Sequence, residues 1–158
     1  MGIEIERKFL VNDSDFLNEY SGEILMQGYL STDPERTVRV RIKGTEAWLT
    51  IKGKGAGIAR PEFEYQIPIE DAREMLNMCV GNRIEKIRYK IEFDNRVWEV
   101  DRFLGQNEGL ILAEIELNSE DEEIKLPEWI AQEVSNDNRY FNSYLFLSPF
   151  ASWEAKRE

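Results

Sequence analysis

The sequence predicts an α+β fold in which about eight strands form an antiparallel sheet or barrel, with few helices beside it. Three observations carry that prediction. Most of the chain alternates apolar and charged residues with the two-residue period of a strand. The alternating segments are bounded by Gly, Pro, Asp or Asn, which favour turns. Only short stretches carry helical patterning, and they lie between strands or near the C-terminus.

The elements follow in order. "GIEIERKFLV" is a strand with Ile3, Ile5 and Phe9 on one face and Glu4, Glu6 and Lys8 on the other. "DSDFLNEY" (13–20) is a short helix with Asp13 or Ser14 as its N-cap. "EILMQGYLS", "RTVRVRIKG", "AWLTIKGKG" and "PEFEYQIPI" are strands. "EDAREMLNMC" (70–79) is a helix, with Gly81 just past its end as a stop. "RIEKIRYKIEF" and "RVWEVDRFLG" flank Asp94-Asn95, a hairpin turn. "LILAEIELN" closes the strand series. "PEWIAQEVS", with Pro127 in its first turn, and "RYFNSYLFL" are expected to be helices.

A chain of 158 residues with 42% hydrophobic content supports one domain with a sizeable core, here taken as 1–158. No internal repeat or low-complexity linker divides it. It has no bilayer-length apolar run and opens on a charged strand, so neither a membrane segment nor a signal peptide is expected. A single cysteine, Cys79, fits a reducing cytoplasm. The absence of histidine removes the commonest neutral-pH base and metal ligand, leaving carboxylates, amines and guanidinium groups for any chemistry. A net charge of −11 argues against nucleic acid as a partner, though a local basic site inside an acidic shell escapes that average.

Parity exposes such a site. Arg39, Arg41 and Lys43 share one face of their strand, as do Lys86, Arg88 and Lys90, and Lys52 lies on the face of Thr50. Glu62 with Glu64, Glu99 with Asp101, and Glu114 with Glu116 form matching acidic faces. Seven strands, the first included, are built this way. Their alternating positions hold eight bases and eight acids, so the rest of the chain carries the whole net charge of −11. A merely solvated face is usually mixed, whereas here the charges are segregated by strand. If the sheet closes, the charged face becomes a lumen, where buried charges must pair or bind ions. Carboxylates suit hard cations such as Mg²⁺, and Lys and Arg suit phosphate oxygens. No Walker-type glycine loop is present, so phosphate binding would rest on side chains.

"EIERKF" resembles the Glu-x-Glu-x-Lys signature of the CYTH domain, the triphosphate tunnel metalloenzyme superfamily. "MQGYL", "VRVRIKG", "LTIKGKG", "RPEFEYQI", "EKIRYKI", "WEVDRFLG" with "GLILAEIEL", and "DNRYFNSYL" extend the resemblance in order over nearly the whole chain. It is greatest to the compact bacterial branch. The resemblance implies an eight-stranded antiparallel β-tunnel that binds a triphosphate and one or two divalent metals, Mg²⁺ or Mn²⁺. It marks Glu4, Glu6, Glu114 and Glu116 as metal ligands. It marks Lys8, Arg39, Arg41, Lys52, Lys86 and Arg88 as the triphosphate cradle. Glu62, Glu64 and Asp101 become acids that orient or activate water or position the bases, and Lys52 or Lys86 a donor to the leaving group.

Other residues keep two readings. Arg60 is either a phosphate contact at the tunnel mouth or a surface residue. Lys43, Lys54 and Lys90 sit near strand ends and are expected in solvent. Trp48 shares the parity of Lys52 and is expected to pack at the strand start rather than stack on a base. Arg139 and Tyr140 resemble a motif that braces the tunnel, and "SEDEE" (119–123) is a solvated loop. The expected function is metal-dependent hydrolysis of inorganic triphosphate. Thiamine or nucleoside triphosphate hydrolysis, class IV-type adenylyl cyclase activity and a non-catalytic polyphosphate- or nucleotide-binding module are the alternatives. The expected partner is a small triphosphate, with the chain a monomer or homodimer.

Overall fold

The computed structural model describes residues 2–145 and 148–156. Nine strands run in chain order: β1 Ile3–Val11, β2 Glu23–Ser31, β3 Arg36–Lys43, β4 Glu46–Gly53 and β5 Ala59–Ile67, then β6 Val80–Phe93, β7 Arg96–Phe103, β8 Ile111–Glu116 and β9 Ile130–Glu133. Eight form a closed antiparallel barrel in the order β5-β4-β3-β2-β6-β7-β8-β1, and Ile3–Ile5 of β1 returns to pair with Ala59–Pro61 of β5. Closure separates the two faces of every strand into lumen and exterior. The expected eight-stranded barrel is therefore present.

The exterior explains why the strands fold as they do. Helix α1, Ile69–Asn77, carries Glu70 and Asp71 in its first turn, where carboxylates offset the helix dipole. Its Ala72 and Leu76 pack on Val40 and Ala47 outside β3 and β4. Gly28 of β2 lets the chain just beyond α1 come close, since a Cβ there would stand 2.7 Å from Cys79 Sγ. Phe9, Trp98, Val100 and Ile115 form a second apolar cluster, to which Trp129 adds an edge-on ring 5.7 Å from Trp98. Asp94 and Asn95, with φ of 54° and 61°, make the tight turn between β6 and β7. Around the seam between β1 and β5, Ile3, Phe63 and Tyr65 are exposed.

Three local expectations change. Residues 127–135 do not form a helix; a turn closed by Ile130 N–H on Pro127 O leads into β9. Beyond Ile5, β1 has lost β5 as a neighbour, and its free backbone groups need partners. β9 supplies them, pairing with Phe9 and Val11, while Val134 N–H donates to Lys8 O at 2.8 Å. That tertiary demand outweighs the helical patterning. Gly81 does not stop α1, which ends at a Met78 C-cap, but takes φ 65° inside β6. At the C-terminus, Asn138–Tyr140 is a 3₁₀ turn and Asn142–Leu145 a single α turn, α2; positions 146–147 of the expected helix lie outside the described residues. The segment at 13–20 folds as a 3₁₀ helix, Asp15–Glu19, behind Ser14.

Candidate active site

The lumen is a cavity of about 210 Å³, and twelve of the fourteen candidate residues line it. Lys86 and Asp101 share the parity but lie beneath its wall. The strand register sets acids against bases: Lys8 faces Glu114, Lys52 faces Glu62, Arg60 faces Glu4 and Arg88 faces Asp101 on neighbouring strands. Cross-strand pairs of opposite charge make a buried charged face tolerable.

One side of the lumen is acidic. Lys52 Nζ lies 2.8 Å from Glu4 Oε1 and 3.4 Å from Glu62 Oε2, and Arg60 Nε lies 3.8 Å from the same Glu4 oxygen. Lys8 Nζ is 3.5 Å from Glu114 and donates to the Tyr140 carbonyl at 3.3 Å. Burial, with Glu114 and Glu4 close by, pushes the Glu6 carboxyl up to about 8. Burial also raises Glu4 and Glu116. Glu114 goes the other way: burial opposes its ionisation, but Lys8, Arg88 and Lys86 outweigh that and hold it well below the usual range.

Beneath the opposite wall is an ionic support. Asp101 accepts both Nε (2.8 Å) and Nη2 (2.9 Å) of Arg88 in a forked pair. Lys86 Nζ stands 2.7 Å from Asp101 Oδ2, yet its protons find no well-aligned acceptor. Burial drives the Lys86 ammonium down to about 7. Asp101 is held at about 2, because Lys86 and Arg88 outweigh its burial.

Arg39 donates from Nη2 to Thr50 Oγ1 at 3.1 Å, and Thr50 donates to Glu64 at 2.9 Å. Arg41 donates from Nε to Gln27 Oε1 at 3.1 Å. Parity reasoning missed Gln27 and Thr50 because it tracked charge alone. Gln27 sits two residues from Leu25 on a strand whose lumen face holds few charges, so only position within the closed barrel reveals it. Phe141 and Asn142 were missed as well. The ring of Phe141 lies 5.2 Å from Lys8 Nζ and 5.2 Å from Arg60 Cζ, within cation–π range of both. Arg139 instead pairs with Asp137 on the surface, and Tyr140 packs edge-on against Trp153.

Between Ile5, which holds β5, and Phe9, which holds β9, this edge of β1 pairs with no strand among the described residues, though Lys8 is tied to Val134 and Ser135. A vestibule of about 540 Å³ lies there, between the 53–60 segment and residues 135–144, and reaches Glu6, Lys8 and Arg60. Lys54 stands on its rim, paired with Glu35 at 3.8 Å. Among the described residues no helix is long and apolar enough to cross a membrane.

The donor set fits a hard divalent cation. Glu4, Glu6, Glu114 and Glu116 offer only carboxylate oxygens, and the burial and neighbouring carboxylates that push Glu6 up are what such an ion offsets. Among the described residues no three of these acids already converge as a ligand group, because Glu4 and Glu114 are turned to Lys52 and Lys8.

A closed strand barrel whose interior holds acids and bases in nearly equal number defines a charged β-tunnel. The chain belongs to the CYTH domain family, whose model matches residues 2–143. It is 45% identical to an inorganic triphosphatase of Acetivibrio thermocellus over 155 residues, covering 98% of this chain and 99% of the relative. An inorganic triphosphatase of Nitrosomonas europaea is 39% identical over 150 residues, covering 92% of this chain and 97% of the relative. A solved structure of an inorganic triphosphatase superposes with a TM-score of 0.63 at 35% identity, covering 90% of this chain and 97% of that one.

Proposed function

We propose that the chain is an inorganic triphosphatase that works with Mg²⁺ or Mn²⁺ held by Glu4, Glu6, Glu114 and Glu116. The carrying observation is one small lumen in which Lys8, Arg39, Arg41, Lys52 and Arg88 face those four carboxylates. Its near-equal charge suits a polyanion that arrives with a cation. The similarity to two inorganic triphosphatases over almost the full chain supports the reaction.

In this reading the triphosphate enters by the vestibule, and the lumen bases hold its phosphates in line. The bound cation would neutralise phosphate charge and polarise the reacting group. Water attacks the terminal phosphorus and the bridging P–O bond breaks, giving orthophosphate and pyrophosphate. Glu62 and Glu64 are the acids placed to take the proton from water, since both border the lumen, each beside one base (Lys52 and Arg39), while Asp101 is committed to Arg88 and Lys86. Lys52 remains protonated, because Glu4 and Glu6 outweigh its burial, and supplies charge or a proton to the departing pyrophosphate. Lys86 does not reach substrate and acts by positioning Asp101 and Arg88. The whole described chain serves as one tunnel domain.

A phosphate-release assay across inorganic triphosphate, ATP and thiamine triphosphate tests this, with Mg²⁺, with Mn²⁺ and with chelator. Fastest release from inorganic triphosphate, lost with chelator, is expected. Faster release from ATP, or cyclic AMP as a product, overturns it.

A further inference from the structure

The tunnel has a second mouth, opposite the vestibule, and nothing in the mechanism above uses it. It is a cavity of about 180 Å³ that shares Arg41, Arg88, Glu64 and Glu99 with the lumen and carries Lys43, Lys90, Trp48 and Glu23 at its rim. On β3, Lys43 lies two residues beyond Arg41, and on β6, Lys90 lies two beyond Arg88, at lumen parity in each case. Two rows of cations therefore lead outward, with steps of about 7 Å at the rise of a strand. Trp48, paired in register with Arg41, places its ring 5.6 Å from Lys43 Nζ.

Arg41 is the join between lumen and mouth, and its charge is only partly offset, by the field of Asp101 with no ion pair between them among the described residues. Lys8, Arg39, Lys52, Arg60 and Arg88 each have a carboxylate oxygen within 3.8 Å. Among the described residues no ion pair reaches Arg41, whose Nε meets only the neutral Gln27 oxygen. Its guanidinium is depressed to about 9 by burial and by Arg39 and Arg88 beside it. At the rim, Lys43 has a long contact to Glu23 at 3.9 Å, and Lys90 is exposed with no ion pair among the described residues. Arg41, Lys43, Arg88 and Lys90 outnumber Glu23, Glu64 and Glu99 in this mouth by one, and with Arg41 lacking an ion pair and Lys90 reaching solvent that surplus is a place and a path for a small anion.

We propose that the Arg41–Lys43–Lys90 mouth is an orthophosphate subsite through which the cleaved terminal phosphate leaves, while pyrophosphate remains toward Lys8 and Lys52. This rests on the triphosphatase reading and gives the tunnel a direction: substrate enters at the vestibule and orthophosphate exits opposite.

The test compares product inhibition by added orthophosphate and by pyrophosphate, at constant ionic strength, in the native chain and in the double variant Lys43→Ala/Lys90→Ala. The inhibition constant for orthophosphate should rise about fivefold, the effect of losing two part-exposed charge contacts, while that for pyrophosphate moves less than about twofold. Lys43→Arg/Lys90→Arg should restore the native value. Unchanged orthophosphate inhibition in the alanine variant, equal shifts for both products, or no orthophosphate inhibition of the native chain would each overturn the subsite. If the native chain hydrolyses no triphosphate, the functional reading falls instead. Calorimetric titration with inorganic phosphate then decides the subsite by itself: weaker binding to the alanine variant supports it, and equal or absent binding overturns it.

Discussion

Lys86 and Asp101 face each other at 2.7 Å behind the tunnel wall, both sealed from solvent, with Asp101 extending the pair to Arg88. A lumen arginine is thus aimed by a buried acid whose second partner is a buried amine. Removing the acid leaves two cations without it. Asp101→Asn is expected to destabilise the chain by about 3–5 kcal/mol, the cost of breaking one partner out of a buried ion pair. Urea unfolding at neutral pH measures it.

The same acid sets an acid limb in stability. Asp101 is lowered from 3.8 to about 2 in the folded chain, so its stabilisation is complete above about 4 and is lost as pH falls from there to about 2. Unfolding free energy should decline across that window in the native chain. In Asp101→Asn this component should be missing, leaving a shallower decline. Urea titrations at closely spaced pH values compare the two slopes.

Glu116 is the most exposed of the four acids proposed to hold the cation, so a change there disturbs packing least. Glu116→Gln should keep the native unfolding temperature within a few degrees and lower triphosphate turnover by about 10–100-fold, with a raised requirement for Mg²⁺. Native turnover at native Mg²⁺ dependence would remove Glu116 from the ligand set.

Arg39→Lys keeps the charge but gives up the planar fork that now reaches Thr50 and Glu64. It should weaken binding of a non-hydrolysable triphosphate analogue, and Arg41→Ala should weaken it more by deleting a charge that is in no ion pair among the described residues. Equilibrium titration of both variants checks the order. Changes below about 0.5 kcal/mol in both would remove the two arginines from the substrate cradle.

Phe141 contacts two lumen cations, Lys8 and Arg60, with one ring. Phe141→Leu keeps the apolar bulk and loses the ring quadrupole, so it should raise KM by several-fold, with Phe141→Trp restoring it, since the cation–π contacts are worth about 0.5–1 kcal/mol each. Steady-state kinetics with inorganic triphosphate, alongside unfolding temperatures, separate this from loss of fold.

The barrel strands and the lumen face were legible along the chain because a strand's side-chain period is two and does not depend on its neighbours. Glu4, Glu6 and Lys8, or Arg39 and Arg41, lie on one face of any extended strand that contains them. Their placement in a shared cavity needed only the further step that the sheet closes. Depth along that face was decided by tertiary structure. Lys86 and Arg88 have the same parity, yet Lys86 is sealed from solvent, with Phe103 as its register partner on β7, while Arg88, with Asp101 as its partner, lines the lumen. The switch of 127–135 from helix to β9 was tertiary too, imposed by the open edge of β1 beyond Ile5. The two mouths exist only in three dimensions, where the split beside β1 and the rim of β3 and β6 gather residues far apart in sequence. Local periodicity determined which side chains face inward; closure and strand register decided which of them meet.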